Sequence, residues 1–217
     1  MKYPCLVLDH DDTVVRSTPA IHYPAFLEIM ERLRPDFVPP PLEEFMDYCS
    51  EPGYFRYCSE IIGLRPEDRL VENEIWHKHL ENRVPEVFEG FPELLRRYRA
   101  DGGRIFVVTH SQSPVALRDW RENGLGEPDA VFGAELPEEH RKPNTWPLEQ
   151  IRRRWGYRKD EMLLVDDLMT GLSMARQDGI FSVGAGWSHL SPRVAVRVRA
   201  CCDVYLTEVG GLFGLLW

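Results

Sequence analysis

Three carboxylates and a hydroxyl follow directly on an apolar run in Leu6-Val7-Leu8-Asp9-His10-Asp11-Asp12-Thr13-Val14. Residues two apart share a face of an extended chain, so Asp9 and Asp11 are expected to address one reacting group. His10 then turns to the opposite face as a structural residue. Acids this close repel one another, and the arrangement calls for a cation or for bound protons. Similar strand ends recur downstream. Arg104-Ile105-Phe106-Val107-Val108-Thr109 ends in a hydroxyl with Ser111 just beyond, and Glu161 to Asp167 ends in the acids Asp166 and Asp167. Lys142 lies between these two runs.

A phosphomonoester with a divalent cation suits this set. The phosphate carries close to two negative charges, which ionised carboxylates would repel. A hard cation held by one or two carboxylates and by phosphate oxygens removes the conflict, and Mg²⁺ is the expected ion. Lys142 adds a point charge, and Thr109 adds a hydroxyl for a phosphate oxygen. One carboxylate can attack phosphorus and form an aspartyl phosphate. A second can protonate the leaving oxygen and later deprotonate water.

Such groups need elements that end at one place. Short apolar runs bounded by polar residues read as buried parallel strands at 5–9, 104–109, 130–132, 161–167, 180–183 and 204–206. Helical patterns separate them at 92–101, 114–123, 144–155, 170–178 and about 192–200. This alternation predicts a doubly wound α/β parallel sheet with right-handed crossovers, whose ligand crevice lies at the carboxyl ends of its strands. Between the first two strands, residues 20–33, 42–50, 54–62 and 67–82 read as helices broken by Pro35, Pro39-Pro40-Pro41, Pro52-Gly53 and Gly63. A purely helical block of about 70 residues exceeds an ordinary crossover and predicts an inserted all-helical domain. The expected division is 1–16 with 88–217 for the core and 17–87 for the insertion.

The chain has 217 residues, 26 basic against 35 acidic, and a net charge of −9. That balance argues against sequence-independent nucleic-acid binding. The run from Gly210 to Trp217 is too short to span a bilayer, so no membrane partner is expected. Five cysteines without CxxC or Cys/His metal spacing, and a first strand that follows closely on Met1, predict a reduced cytoplasmic protein. A monomer or homodimer is expected.

The chain resembles the haloacid dehalogenase superfamily of phosphatases. Asp9-His10-Asp11-Asp12-Thr13-Val14 resembles its first motif, DxDGT followed by an aliphatic residue. Val107-Val108-Thr109 resembles the second, Lys142-Pro143 the third, and Val165-Asp166-Asp167 through Gly179-Ile180 the fourth. The helical insertion matches the cap position of the subgroup containing phosphoglycolate phosphatases and β-phosphoglucomutases. The resemblance implies a Rossmann-like core with Asp9 as nucleophile and Mg²⁺ ligand. It implies Asp11 as general acid/base and metal ligand through its backbone carbonyl, Thr109, His110 and Lys142 on the phosphoryl group, and Asp167 completing the metal site. The chain departs from the motifs at three positions. Asp12 stands where Gly is usual, Arg16 where an acid is common, and Gly171 where the second acid of the fourth motif is expected. Asp166 occupies a position often held by Gly and is expected to compensate at the metal.

The expected activity is Mg²⁺-dependent hydrolysis of a small phosphorylated metabolite, a sugar phosphate or phosphoglycolate-like compound. A phosphomutase and a catalytically silent binding protein on the same scaffold are the alternatives. Because the core grips only the phosphoryl group, selectivity is expected from the cap, through the stretch Glu51-Pro52-Gly53-Tyr54-Phe55-Arg56, with Tyr54 and Arg56 as specificity residues.

Overall fold

The computed structural model describes residues 1–217. Strand β1 (Cys5–Leu8) opens the chain. The insertion follows, with helices α1 (Tyr23–Leu33), α2 (Leu42–Tyr48), α3 (Tyr54–Arg56) and α4 (Arg69–Asn82). The chain then runs α5 (Phe91–Ala100), β2 (Arg104–Val108), α6 (Ser113–Glu122), β3 (Ala130–Phe132), α7 (Trp146–Trp155), β4 (Met162–Asp166), α8 (Met169–Asp178), β5 (Phe181–Ala185), α9 (Pro192–Arg199), β6 (Val204–Leu206) and α10 (Gly211–Leu216).

All six strands are parallel and lie in the order β3-β2-β1-β4-β5-β6. The chain leaves β1 toward β2 and β3, then crosses back to place β4 on the other side of β1. The order therefore reverses at β1, which is where open sheets bind ligands. Strand alternation divides the core. Leu6, Leu8, Ile105, Val107, Leu163 and Val165 face α5 and α10 through Leu94, Leu95, Leu212 and Leu216. Val7, Phe106, Val108 and Leu164 face α7, α8 and α9 through Leu148, Ile151, Leu172 and Val194. Helices thus cover both faces, which explains why the central strands are apolar throughout.

The insertion has an apolar cluster of its own, built on Phe26, Ile29, Phe45, Tyr57 and Ile75. Its two connections to the core pair with each other. Val15 and Val87 form an antiparallel bridge, Arg16 N donates to Glu86 O at 2.8 Å and Phe88 N to Val14 O at 2.9 Å.

The expected elements are present with shifted ends. β1 stops at Leu8 and β4 at Asp166, so Asp9 and Asp167 already belong to the loops. The expected helix 42–50 ends as α2 at Tyr48, and a π-helical stretch continues to Gly53 with Glu51 in an extended conformation. The expected helix 54–62 is a short α3 that widens into a π-helical turn from Tyr57 to Ile62. Helix α10 was not expected, because Gly-Leu-Phe-Gly-Leu-Leu lacks the polar face that marks a surface helix. No helix is long and apolar enough to cross a membrane. The five cysteines are free thiols.

Candidate active site

The carboxyl ends of β1 and β4 bring Asp9, Asp166 and Asp167 together, with one oxygen from each within 4.8 Å of the others and all three residues buried. Lys142 arrives from the loop before α7 and is itself only 5 % exposed. Its Nζ donates to Asp9 Oδ1 at 2.6 Å and to Asp166 Oδ2 at 2.8 Å. The other oxygen of Asp166 accepts from Leu168 N–H at 2.8 Å. Asp167 is fixed through Thr13, whose hydroxyl lies 3.0 Å from both Asp167 Oδ1 and Asp167 N. The backbone of that pair is held from outside. Trp187 Nε1–H donates to Thr13 O at 2.9 Å, and His189 Nε2–H to Asp167 O at 2.7 Å.

Three buried acids against one buried ammonium leave negative charge uncompensated. Burial pushes Asp9 up to about 7 against the pull of Lys142, with repulsion from Asp166 and Asp11 adding to it. Burial and the repulsion of Asp9 and Asp166 raise Asp167 well above the usual carboxylate range. Burial alone would lower Lys142, but Asp166 and Asp9 hold its pKa above the ordinary value. A clustered, protected set of oxygens with excess charge is the donor set of a hard cation. The residues fit Mg²⁺.

Asp11 sits apart from that group. Its Oδ2 accepts from Ser111 Oγ at 2.7 Å and Thr109 Oγ1 at 3.3 Å, and its Oδ1 accepts from His22 Nε2 at 3.3 Å. Burial alone would raise its pKa, but the hydrogen bond from His22 and the charges of His10 and His22 hold it well below the usual carboxylate range. Asp11 was expected to bind the metal through its backbone carbonyl, which leaves its side chain, outside the three clustered carboxylates, to these donors. Thr109, buried at the end of β2, also accepts from Ser111 N–H at 2.9 Å. His110 follows it, and desolvation of its ring, with the charge of Lys142, lowers its pKa to about 4.

His10 turns away as alternation requires. It is fully buried, and its Nε2–H donates to Asp119 Oδ2 on α6 at 3.2 Å. Asp12 adopts the left-handed conformation, φ 55°, the only residue other than Gly to do so. Its carboxylate accepts from Thr18 N–H at 3.1 Å and so caps the first turn of the insertion. The replacement of Gly thus exchanges backbone freedom for a cap. Arg16 lies over the Phe88 ring at 4.3 Å, spanning the two connections.

The expected specificity pair is not delivered to the acids. Tyr54 is packed within the insertion against Phe45 and Trp76, and its hydroxyl donates to Glu72 Oε1 at 2.9 Å. Arg56 points outward and pairs with Glu60 at 3.0 Å, with side chains 65 % and 56 % exposed. Arg56 ends the short α3, just before the chain widens at Tyr57, on the outer face where its i+4 neighbour Glu60 meets it. The contact from this stretch to the core comes from Glu51, whose carboxylate meets Arg197 of α9 at 3.0 Å.

Sequence reasoning underused two residues at the site. His22 belongs to the insertion yet reaches Asp11, and its ring stacks on Trp76 at 5.1 Å. Ser111 was placed near the site but given no role. No local signal marks either contact, because both depend on how distant segments fold together.

A family model for haloacid dehalogenase-like hydrolases matches residues 6–185. The chain belongs to this family. A curated relative, Pyrophosphatase PpaX of Halalkalibacterium halodurans, is 26 % identical over 128 residues, 58 % of this chain. The chain's match spans 60 % of that relative's length. A haloacid dehalogenase-like protein from Agrobacterium tumefaciens superposes with a TM-score of 0.80 at 19 % identity, covering 99 % of this chain and 97 % of its own. A HAD family hydrolase from Deinococcus radiodurans, solved with bound phosphate and sodium, superposes with a TM-score of 0.77 at 18 % identity, covering 99 % and 95 %. These structures share the fold of this hydrolase.

Proposed function

We propose that this hydrolase is a Mg²⁺-dependent phosphatase acting on a small phosphomonoester through an aspartyl-phosphate intermediate on Asp9. The observation that carries the reading is the pairing of buried Asp9 with Lys142 beside Asp166 and Asp167, two residues before an Asp11 turned toward hydroxyl and imidazole donors. The phosphate bound to the Deinococcus radiodurans neighbour agrees with it.

Asp9, Asp166 and Asp167 would hold Mg²⁺, with Asp11 contributing through its backbone carbonyl. The ion supplies charge neutralisation that lets an anionic phosphate approach anionic acids. Asp9 attacks phosphorus, and the P–O bond to the leaving group breaks. Lys142 steers the Asp9 carboxylate and compensates the charge of the transferred group. Thr109 and the backbone N–H of His110 hold its remaining oxygens. The proton for the leaving oxygen passes through Asp11 from His22, which is hydrogen-bonded to it. Asp11 then takes a proton from the water that cleaves the aspartyl phosphate and regenerates Asp9, and returns it to His22.

Residues 17–87 act as the cap. It closes over the phosphoryl site, leaves room for a small metabolite and excludes water during attack. The test is hydrolysis of an aryl phosphate, then of a panel of sugar phosphates, phosphoglycolate and inorganic pyrophosphate, the last included because of the name of the curated relative. Activity with Mg²⁺ that vanishes with a chelator supports the reading, and Asp9→Asn is expected to lose about a thousandfold in kcat. Undiminished turnover in that variant overturns the mechanism. Transfer back to a sugar bisphosphate without net phosphate release would establish the mutase instead.

A further inference from the structure

His10, between the two acids, is tied to α6, and α6 is tied to the cap. Asp119 is 1 % exposed, and its two oxygens face different ways. Oδ2 accepts from His10 Nε2–H at 3.2 Å. Oδ1 accepts from Arg118 Nε at 2.9 Å and Nη2 at 2.6 Å. The same guanidinium reaches across to the end of α4, where Nη1 donates to Leu80 O at 2.5 Å and Nη2 to Arg83 O at 3.2 Å. Carbonyls at a helix C-terminus have no intrahelical partner, so a cation there completes their hydrogen bonds and favours the helix dipole. Just past the end of α6, Asn123 Nδ2 donates to Pro85 O at 3.0 Å. The return connection of the cap is therefore gripped by α6 over residues 80–85, just before it pairs with residues 14–16.

We infer that Asp119, oriented by Arg118, is a positioning residue that couples the seat of the cap to the loop carrying Asp9 and Asp11. Three features carry this. The contact is made to the residue between the two acids, and not to a remote part of β1. The carboxylate is shared, so each partner fixes the geometry seen by the other. The linkage is also buried at its centre, where removing one partner leaves the others unpaired at high cost. A change in how the cap sits on α6 moves Arg118, then Asp119, then His10. His10 in turn closes the turn of the acid loop, because its carbonyl accepts from Val14 N–H at 2.9 Å. Neither Arg118 nor Asp119 touches the substrate site.

The catalytic consequence rests on the phosphatase reading; the coupling itself does not, and amide exchange measures it without turnover. The amides of Arg16 and Phe88 report the cap connections, and those of Asp12 and Val14 report the acid loop. Arg118→Met keeps the aliphatic stem and removes the grip on Leu80 and Arg83. It is expected to speed exchange at all four amides. In an Asp119→Asn background, the same change is expected to speed Arg16 and Phe88 but to add nothing further at Asp12 and Val14. Additive effects at Asp12 and Val14, or no change there in Arg118→Met, overturn the coupling. With an aryl phosphate, Arg118→Met and Asp119→Asn are each expected to lower kcat about tenfold with a smaller change in KM, and the pair to lose no more than the worse single variant. Arg118→Lys retains charge and stem, serves if Arg118→Met does not fold, and is expected to lie between wild type and Arg118→Met. A wild-type protein without hydrolysis refutes the proposed function and leaves the exchange result standing.

Discussion

The carboxylate of Asp166 fills the space that a side chain at Gly171 would take, since a Cβ built there overlaps Asp166 Oδ2. Neither Asp166 oxygen is free to yield, because one holds Lys142 and the other Leu168 N–H. A carboxylate at 166 and a side chain at 171 therefore exclude one another, and we propose that the acid expected at 171 is exchanged here for Asp166 on β4. Gly171→Ala is expected to displace Asp166, release Lys142 and lower kcat/KM by at least about tenfold. Gly171→Asp alone is expected to be worse, and Asp166→Gly combined with Gly171→Asp to recover part of the loss. Steady-state kinetics on the three variants checks the exchange; a harmless Gly171→Ala would refute it.

Much of this site was legible before folding. The strands β1, β2 and β4 announce themselves as apolar runs, and period-two alternation alone turns His10 away from Asp9 and Asp11. The parallel sheet then carries Lys142, Thr109 and Asp166 to one end as a consequence of topology. What stayed hidden depends on long-range placement or on irregular backbone. His22 meets Asp11 from the first turn of the insertion, which Asp12 caps at Thr18. Arg56 pairs with Glu60 on the outer surface, and the irregular backbone around Pro52 with an extended Glu51 hides that facing in sequence. The Asp119–His10 contact joins residues 109 positions apart and has no local signature.

Stability of the metal-free protein should fall as pH rises from about 4 toward 7. Burial raises Asp9 to about 7, Asp12 to about 6 and Asp167 well above the usual carboxylate range, so these groups bind more protons in the folded state across this window, against the opposite pull of His110 and His189, which burial lowers. Excess protons on the folded form mean that stability is lost with rising pH. His10 and His22 act in the same direction. Burial opposes charging both rings, but the hydrogen bonds to Asp119 and Asp11 raise both pKa values, so their contribution is present below the ordinary histidine range and is lost above it. Mg²⁺ favours the ionised carboxylates and should flatten the slope, as should Asp9→Asn in the absence of metal. Thermal denaturation at several pH values, with chelator and with Mg²⁺, measures this; a rise in stability over the same window without metal would contradict it.

His22 ties the insertion directly to Asp11. Its imidazole bonds Asp11 while stacking on Trp76, so cap packing and acid placement share one side chain. His22→Ala is expected to lower kcat for an aryl phosphate by about tenfold or more and to change the indole fluorescence of Trp76. His22→Gln, which retains a donor, is expected to recover part of the rate. Equal rates in wild type and His22→Ala would show that the contact has no part in turnover.

The cap loop offers a last contrast between Arg56 and Glu51. Arg56 forms an exposed i,i+4 pair with Glu60, an arrangement that contributes little to stability and is screened by salt. Arg56→Ala is therefore expected to leave the ratio of kcat/KM between substrates unchanged. Glu51 bridges the cap to Arg197 on α9, and the guanidinium Nη1 of Arg197 is buried without another partner. Losing Glu51 leaves that partly buried cation unpaired where the insertion meets α9, which weakens the seating of the insertion on the core. Glu51→Gln is expected to raise KM severalfold for small phosphomonoesters, with kcat changed less, and to make the wild-type KM more sensitive to salt than the mutant's. The comparison needs only the two single variants on one substrate panel. A selectivity shift in Arg56→Ala together with an unaltered Glu51→Gln would return the specificity role to the outer face of the loop.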